Sequence, residues 1–108
     1  MKLALTNVPP DAADHIARVL VEEELVACVN LMPLRSVYRW KGRVCEEGEV
    51  ALLMKVADAG VDRLRERLMG LHPYELPEFI VLPVESEGSL PAYLAWVDSA
   101  GNGSDAAD

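Results

Sequence analysis

The densest chemistry in this chain lies in His72-Pro73-Tyr74-Glu75-Leu76-Pro77-Glu78, where an imidazole, a phenol and two carboxyls stand close together. Imidazole binds copper and zinc well, and nearby carboxylates add oxygen ligands. His72, Glu75 and Glu78 are therefore the candidate metal ligands, for copper or another divalent cation. A selective site draws on three or four converging groups, so one histidine with two glutamates is a sparse set. The competing expectation for His72 is structural. It follows an amphipathic segment whose last carbonyls and dipole would meet an imidazolium there.

A second group is Tyr38, Trp40, Lys55 and Tyr74, with Glu75 and Glu78 again close by. Tyr38 and Trp40 alternate onto one side of Ser36-Val37-Tyr38-Arg39-Trp40-Lys41, and Lys55 closes an apolar run. Brought together, these residues would line an aromatic cleft with a few charges, suited to a small charged ligand and shared between subunits. The plainer alternative pairs Lys55 with a glutamate and packs Tyr74 beneath a sheet. Cys28 sits in an apolar stretch and reads as a small core residue. Cys45, in a half-polar stretch, is the more reachable thiol. His15 lies between Asp14 and Arg18 and reads as a solvated surface histidine. The chain holds no glycine-rich phosphate loop, no serine triad motif and no recognisable catalytic carboxylate pair, so nothing asks for an enzyme.

Composition narrows the class. A chain of 108 residues fits one domain. Its net charge of −8 repels phosphate backbones, which argues against nucleic-acid binding. No run approaches the ~18 apolar residues of a membrane span, and the first residues carry no secretory pattern. Cys28 and Cys45, 17 apart, lack the paired spacing of a zinc ribbon or a redox motif. Two unpaired thiols without a leader point to the cytoplasm.

The elements that must position these groups follow from periodicity. Leu3 and Leu5 alternate with Ala4 in a first strand over Lys2–Thr6. Pro9, Pro10 and Asp11 stop it and start a helix, capped near Pro10 or Asp11. Ala13, Ile16, Ala17 and Leu20 then fall on one stripe of that helix, which runs to about Leu25. Val26–Met32 reads as a buried strand, and Pro33 implies a bend or a sheet edge. Ser36–Lys41, Gly42 and Arg43–Val56 make a hairpin, with Gly48 allowing a bulge. Ala57–Leu71 carries Val61, Leu64, Leu68 and Leu71 at helical spacing, and the residue before Pro73 ends it. Phe79–Val84 is a fourth strand. Leu90–Val97 is a short helix with Ser89 as cap and Pro91 in its first turn. The order is strand, helix, strand, strand, helix, strand, plus the short C-terminal helix: an α+β, ferredoxin-like split βαβ plan over residues 1–99. Residues 100–108 read as a flexible polar tail.

The long hairpin implies an oligomer. A compact domain of this length is ~34 Å across, whereas Arg43–Ala57 fully extended runs ~50 Å. The overhang would carry Tyr38 and Trp40 beyond the globule, a poor surface for a monomer.

Taken in order, Val21–Asn30, Ser36–Gly42, Glu49-Val50, Met54-Lys55, His72–Glu78 and Tyr93–Val97 resemble the CutA family of divalent-ion tolerance proteins. The resemblance covers nearly everything from Leu3 to Ser99. It implies a ferredoxin-like homotrimer joined by strand pairing between subunits, related in architecture to PII-type signalling trimers. It implies a part in copper or divalent-cation tolerance and response to metal ions. The copper ligands proposed in that family are a cysteine ending the first strand and two adjacent histidines before Pro-Tyr. Here those positions hold Leu5, Leu71 and His72, and only His72 can bind a metal. Pro33–Ser36 is also one residue shorter than the family pattern. Two functions follow as expectations: a metal-binding tolerance trimer, or a PII-like module that holds a small ligand between subunits without a specific metal site.

Overall fold

A computed structural model describes residues 1–101. Strand β1 (Lys2–Val8), helix α1 (Pro10–Glu22), strands β2 (Cys28–Trp40) and β3 (Arg43–Val56), a 3-10 turn (Asp58–Gly60), helix α2 (Val61–Leu71), strand β4 (Ile80–Pro83) and helix α3 (Pro91–Asp98) follow one another. The four strands form one sheet in the order β2-β3-β1-β4, antiparallel throughout. This is the ferredoxin-like plan.

Period-two alternation decides which face becomes core. Ala4, Thr6 and Val8 of β1 lie level with Met54, Leu52 and Val50 of β3, and all are buried. Ile16 and Leu20 of α1 and Leu64 and Leu68 of α2 close over this face at the spacing the sequence implied. Each of these four side chains is fully buried, contributing ~1.5–3 kcal/mol. Leu3 and Leu5 point to the other face and stay half-buried. Helix α3 packs on that second face: Lys55, level with Leu3, reaches the Tyr93 ring at 5.7 Å.

The ends of the helices depart from expectation in detail. Pro9 is the cap of α1, and neither Pro10 nor Asp11 caps it with a side chain. Asp11 instead sits in the first turn, where its charge suits the dipole. The helix stops at Glu22 because Glu24 takes a left-handed conformation, φ 58°. Its N–H reaches the Val21 carbonyl while the Leu25 N–H reaches Leu20, the paired bonds of a Schellman ending. Ala57–Leu71 is not one helix but the 3-10 turn followed by α2. Leu90, not Ser89, caps α3, and the Ser89 hydroxyl donates to the Glu85 carbonyl. Ala100 and Gly101, expected in the tail, close α3 with a second Schellman pair onto Val97 and Trp96. The remainder of that expected tail, 102–108, lies outside the described residues.

The hairpin differs more. β2 is one continuous strand through Pro33, which pairs with Val50. An edge strand tolerates a proline, and β2 is an edge. Its middle is exposed rather than buried, because it runs out along the edge beyond the helices. No bulge forms at Gly48, which pairs with Arg35 in an unbroken ladder. Lys41 and Gly42, φ 50° and 79°, make the two-residue turn whose twist matches the strands. The overhang is present: the molecule measures 47 × 28 × 24 Å.

Candidate functional site

The site begins where α2 ends. His72 is extended (φ −76°, ψ 128°), as a residue before proline prefers, and its N–H bonds the Leu68 carbonyl at 2.8 Å. The ring turns back onto β1 and is 8% exposed. Its Nδ1 accepts the Tyr74 backbone N–H at 3.2 Å. Its Nε2 lies 2.9 Å from the Asn7 carbonyl and 3.1 Å from Thr6 Oγ1. A carbonyl can only accept, so Nε2 carries the proton and the imidazole is the neutral Nε2–H tautomer. Burial holds its pKa below the usual value, opposed by the bond to Asn7 and the charge of Glu49. Thr6 is fully buried, and its hydroxyl donates onward to the Glu78 carbonyl at 2.6 Å.

The loop after His72 is thereby pinned across the sheet. Tyr74 stacks at a tilt on His72, centroids 4.9 Å apart, and its hydroxyl donates to Glu49 Oε2 at 2.6 Å. Burial first, then that bond and the Glu49 charge, pushes the Tyr74 phenol far up. Glu49 is only 7% exposed. Burial and then the Glu49 charge raise the Glu78 carboxyl above the usual carboxylate range.

Between this loop and the outer half of the hairpin, reaching to its turn, lies a cavity of about 530 Å³. Asn7 of β1, Ser36, Tyr38 and Trp40 of β2, and Glu47 and Glu49 of β3 form one side. The loop supplies Tyr74, Glu75, Leu76 and Glu78. The strand residues share a face because Ser36 pairs with Glu47, and Tyr38 and Trp40 follow at intervals of two. A hydrogen bond to Glu47, then partial burial and nearby negative charge, holds the Tyr38 phenol at about 12. At the mouth, Lys41 Nζ lies 3.7 Å from Glu75 Oε2 and 5.7 Å from the Trp40 ring centroid.

Within one chain, Tyr38, Trp40, Tyr74, Glu75 and Glu78, expected in a cleft shared between subunits, line a single cavity. Lys55 does not join them. It lies six residues beyond Glu49 on β3, about 20 Å away, with Nζ 4.0 Å from Cys28 Sγ. Asn7, Ser36, Glu47 and Glu49 were not anticipated. The turn at Lys41-Gly42 would have revealed two of them, Glu47 and Glu49, since it fixes which β3 residues stand opposite the strand that carries Tyr38.

A metal ion at His72 does not fit the described chain. Both ring nitrogens are engaged with the protein, so coordination would have to break a buried hydrogen bond. Among the described residues, no group of three or more His, Cys, Asp or Glu side chains converges. His72, Glu75 and Glu78 are neighbours, but not ligands arranged about one centre.

Fold and site together define a class: a ferredoxin-like domain whose projecting hairpin shelters an acidic, aromatic cleft. Comparison with known proteins narrows it further. Residues 2–100 match the CutA1 divalent ion tolerance protein family. The chain is 45% identical over 98 residues to the divalent-cation tolerance protein CutA of Thermus thermophilus, covering 89% of this chain and 93% of that one. It is 48% identical over 86 residues to protein CutA of Mus musculus, covering 79% of this chain but 48% of that one. The chain therefore spans about half the length of this mammalian relative. The solved apo structure of the PII-like protein CutA from Nostoc sp. PCC 7120 superposes with a TM-score of 0.91 at 54% identity, over 94% of this chain and 97% of that one. The chain belongs to the CutA1 divalent ion tolerance family.

Proposed function

We propose that this chain is the subunit of a homotrimeric binding module, PII-like in architecture, which holds a small ligand in the cleft beneath the hairpin. Its role within divalent-cation tolerance would then be sensing or signalling rather than catalysis or copper chelation at His72. The observation that carries this reading is the contrast at the loop: a 530 Å³ cavity walled by Tyr38, Trp40 and Tyr74, beside a histidine with both nitrogens engaged. The trimer is supported by the overhanging hairpin and by the exposed apolar residues on both sheet edges, Leu31, Met32 and Leu34 on β2 and Ile80, Val81 and Leu82 on β4.

A second reading, direct binding of copper or another divalent cation, is favoured by the carboxylates around the cleft and by what the relatives are called. It would draw on Glu47, Glu49, Glu75 and Glu78 more than on His72, with a neighbouring copy completing the ligand set. Calorimetric titration of wild type and His72→Ala with Cu²⁺ and Zn²⁺, beside a thermal-shift screen of metabolites, separates the two. A metabolite that raises Tm, together with equally weak metal binding by both proteins, is the expected result. Sub-micromolar Cu²⁺ binding lost in His72→Ala would overturn it.

A further inference from the structure

We infer that the ligand of this cleft is a small aliphatic organic cation, a primary ammonium compound, with Lys41 as a competing occupant at the mouth. This rests on the cleft being the working site, as proposed above. Three independent features of the cavity select the chemistry. Its described lining contains four carboxylates and no lysine, arginine or histidine, so an anionic ligand would be repelled by the charges this chain brings to the cleft. Tyr38, Trp40 and Tyr74 bring aromatic surface to the same space, and aromatic faces attract ammonium groups. Glu49, more than nine-tenths buried, has no cation paired with it among the described ion pairs. Among the described residues it accepts a bond from the Tyr74 hydroxyl, and a largely buried carboxylate without a counter-charge is costly. An ammonium entering the cleft would supply that charge.

The molecule already shows the contact on a smaller scale. The Lys41 ammonium stands between the Glu75 carboxylate and the Trp40 ring. A ligand amine would repeat this arrangement deeper in, between Glu49 and the Tyr38 and Tyr74 rings. Its outer end would meet the Glu75 and Trp40 groups that Lys41 now engages. A transition-metal ion suits the site less well, since no three potential ligands converge among the described residues.

The test uses the full chain carrying Trp96→Phe, so that Trp40 is the only tryptophan and its fluorescence reports the cleft. Three probes of equal carbon length are titrated at low ionic strength: 1,5-diaminopentane, glutarate and 1,5-pentanediol. Saturable change with the diamine alone is expected. Glu49→Gln should weaken it about tenfold, as loss of a charge-assisted contact does. Glu75→Gln, a change at an exposed residue that cannot disturb the core, should weaken it about threefold. Lys41→Ala should tighten it about threefold by removing the competitor, an effect no merely structural role would give. Saturation by glutarate or the diol, equal to or better than the diamine, overturns the cation assignment while leaving the cleft as a binding site. No saturation by any probe, with no shift in Tm, overturns the inference and the cleft reading with it.

Discussion

His72 ties its own loop to β1, two segments that are distant in sequence. Its ring takes a proton donor from Tyr74 and gives its own proton to Asn7, and Thr6 passes the chain of bonds on to Glu78. Removing the Thr6 hydroxyl should therefore cost more than its size suggests. Thr6→Val keeps the shape but strips the Glu78 carbonyl of its donor, so we expect a loss of ~1–3 kcal/mol in chemical denaturation. The same network makes stability depend on pH. In the unfolded chain an imidazole titrates near ~6.5, whereas burial holds the folded His72 lower. The unfolded state then binds more protons between those two values, so stability is complete above the unfolded pKa and falls as pH drops toward the folded one. Glu78, raised by burial and Glu49, works the other way, because the folded state takes up its proton at higher pH than the unfolded one. Comparison with His72→Gln isolates the histidine: wild-type Tm should drop more steeply than the variant's between about pH 7 and about pH 5. Identical slopes would show that the ring's burial does not govern the response. The sequence marked His72 as a residue of consequence, but not its role. A donor-and-acceptor ring looks the same in one dimension whether its nitrogens are free or spent, and the partners that engage Nε2 lie some 65 positions away.

Strand length and turn chemistry were more legible, because both are local. Arg43–Val56 is the strand its pattern implied, and the reversal falls at Lys41-Gly42. The expected bulge at Gly48 failed for a simple reason: a glycine permits irregular backbone without requiring it, and here the ladder on either side is unbroken. The buried reading of Val26–Met32 holds at Val26 and Ala27 and fails over Asn30–Met32, because apolar content does not say how far along a strand its own helices reach. Gly42 does meet a requirement. Its φ of 79° is left-handed and nothing stands within 4 Å of where a Cβ would sit, so the cost of a side chain is purely conformational. Gly42→Ala should lower stability by ~1–2 kcal/mol without altering the cleft walls. Denaturant midpoints measure the loss, and an unchanged midpoint would mean that the turn relaxes to another type.

The molecule as a whole is too long for its mass. Its radius of gyration is 14.8 Å, against ~13 Å for a compact chain of this length. The excess comes from the hairpin, and the two edges of the sheet are left open at β2 and β4. Natural edge strands carry charges or stay covered, yet every residue of β4 is apolar and exposed. Ile80 and Leu82 lie level with Leu5 and Leu3, so their side chains stand on the sheet face away from α1 and α2. That face and that edge are where we expect a second copy. Light scattering at micromolar concentration should give three times the chain mass. The double change Ile80→Lys, Leu82→Lys should reduce this to a single chain, because two ammonium groups cannot be buried in an apolar seam without partners. The core on the other face is untouched by these changes, so circular dichroism should still report the fold. The concentration dependence of Tm supplies an independent check, since an oligomer gains stability by mass action and a monomer does not. A wild-type protein that scatters as one chain, with a Tm indifferent to dilution, would mean that the hairpin projects into solvent and that each subunit closes its own cleft.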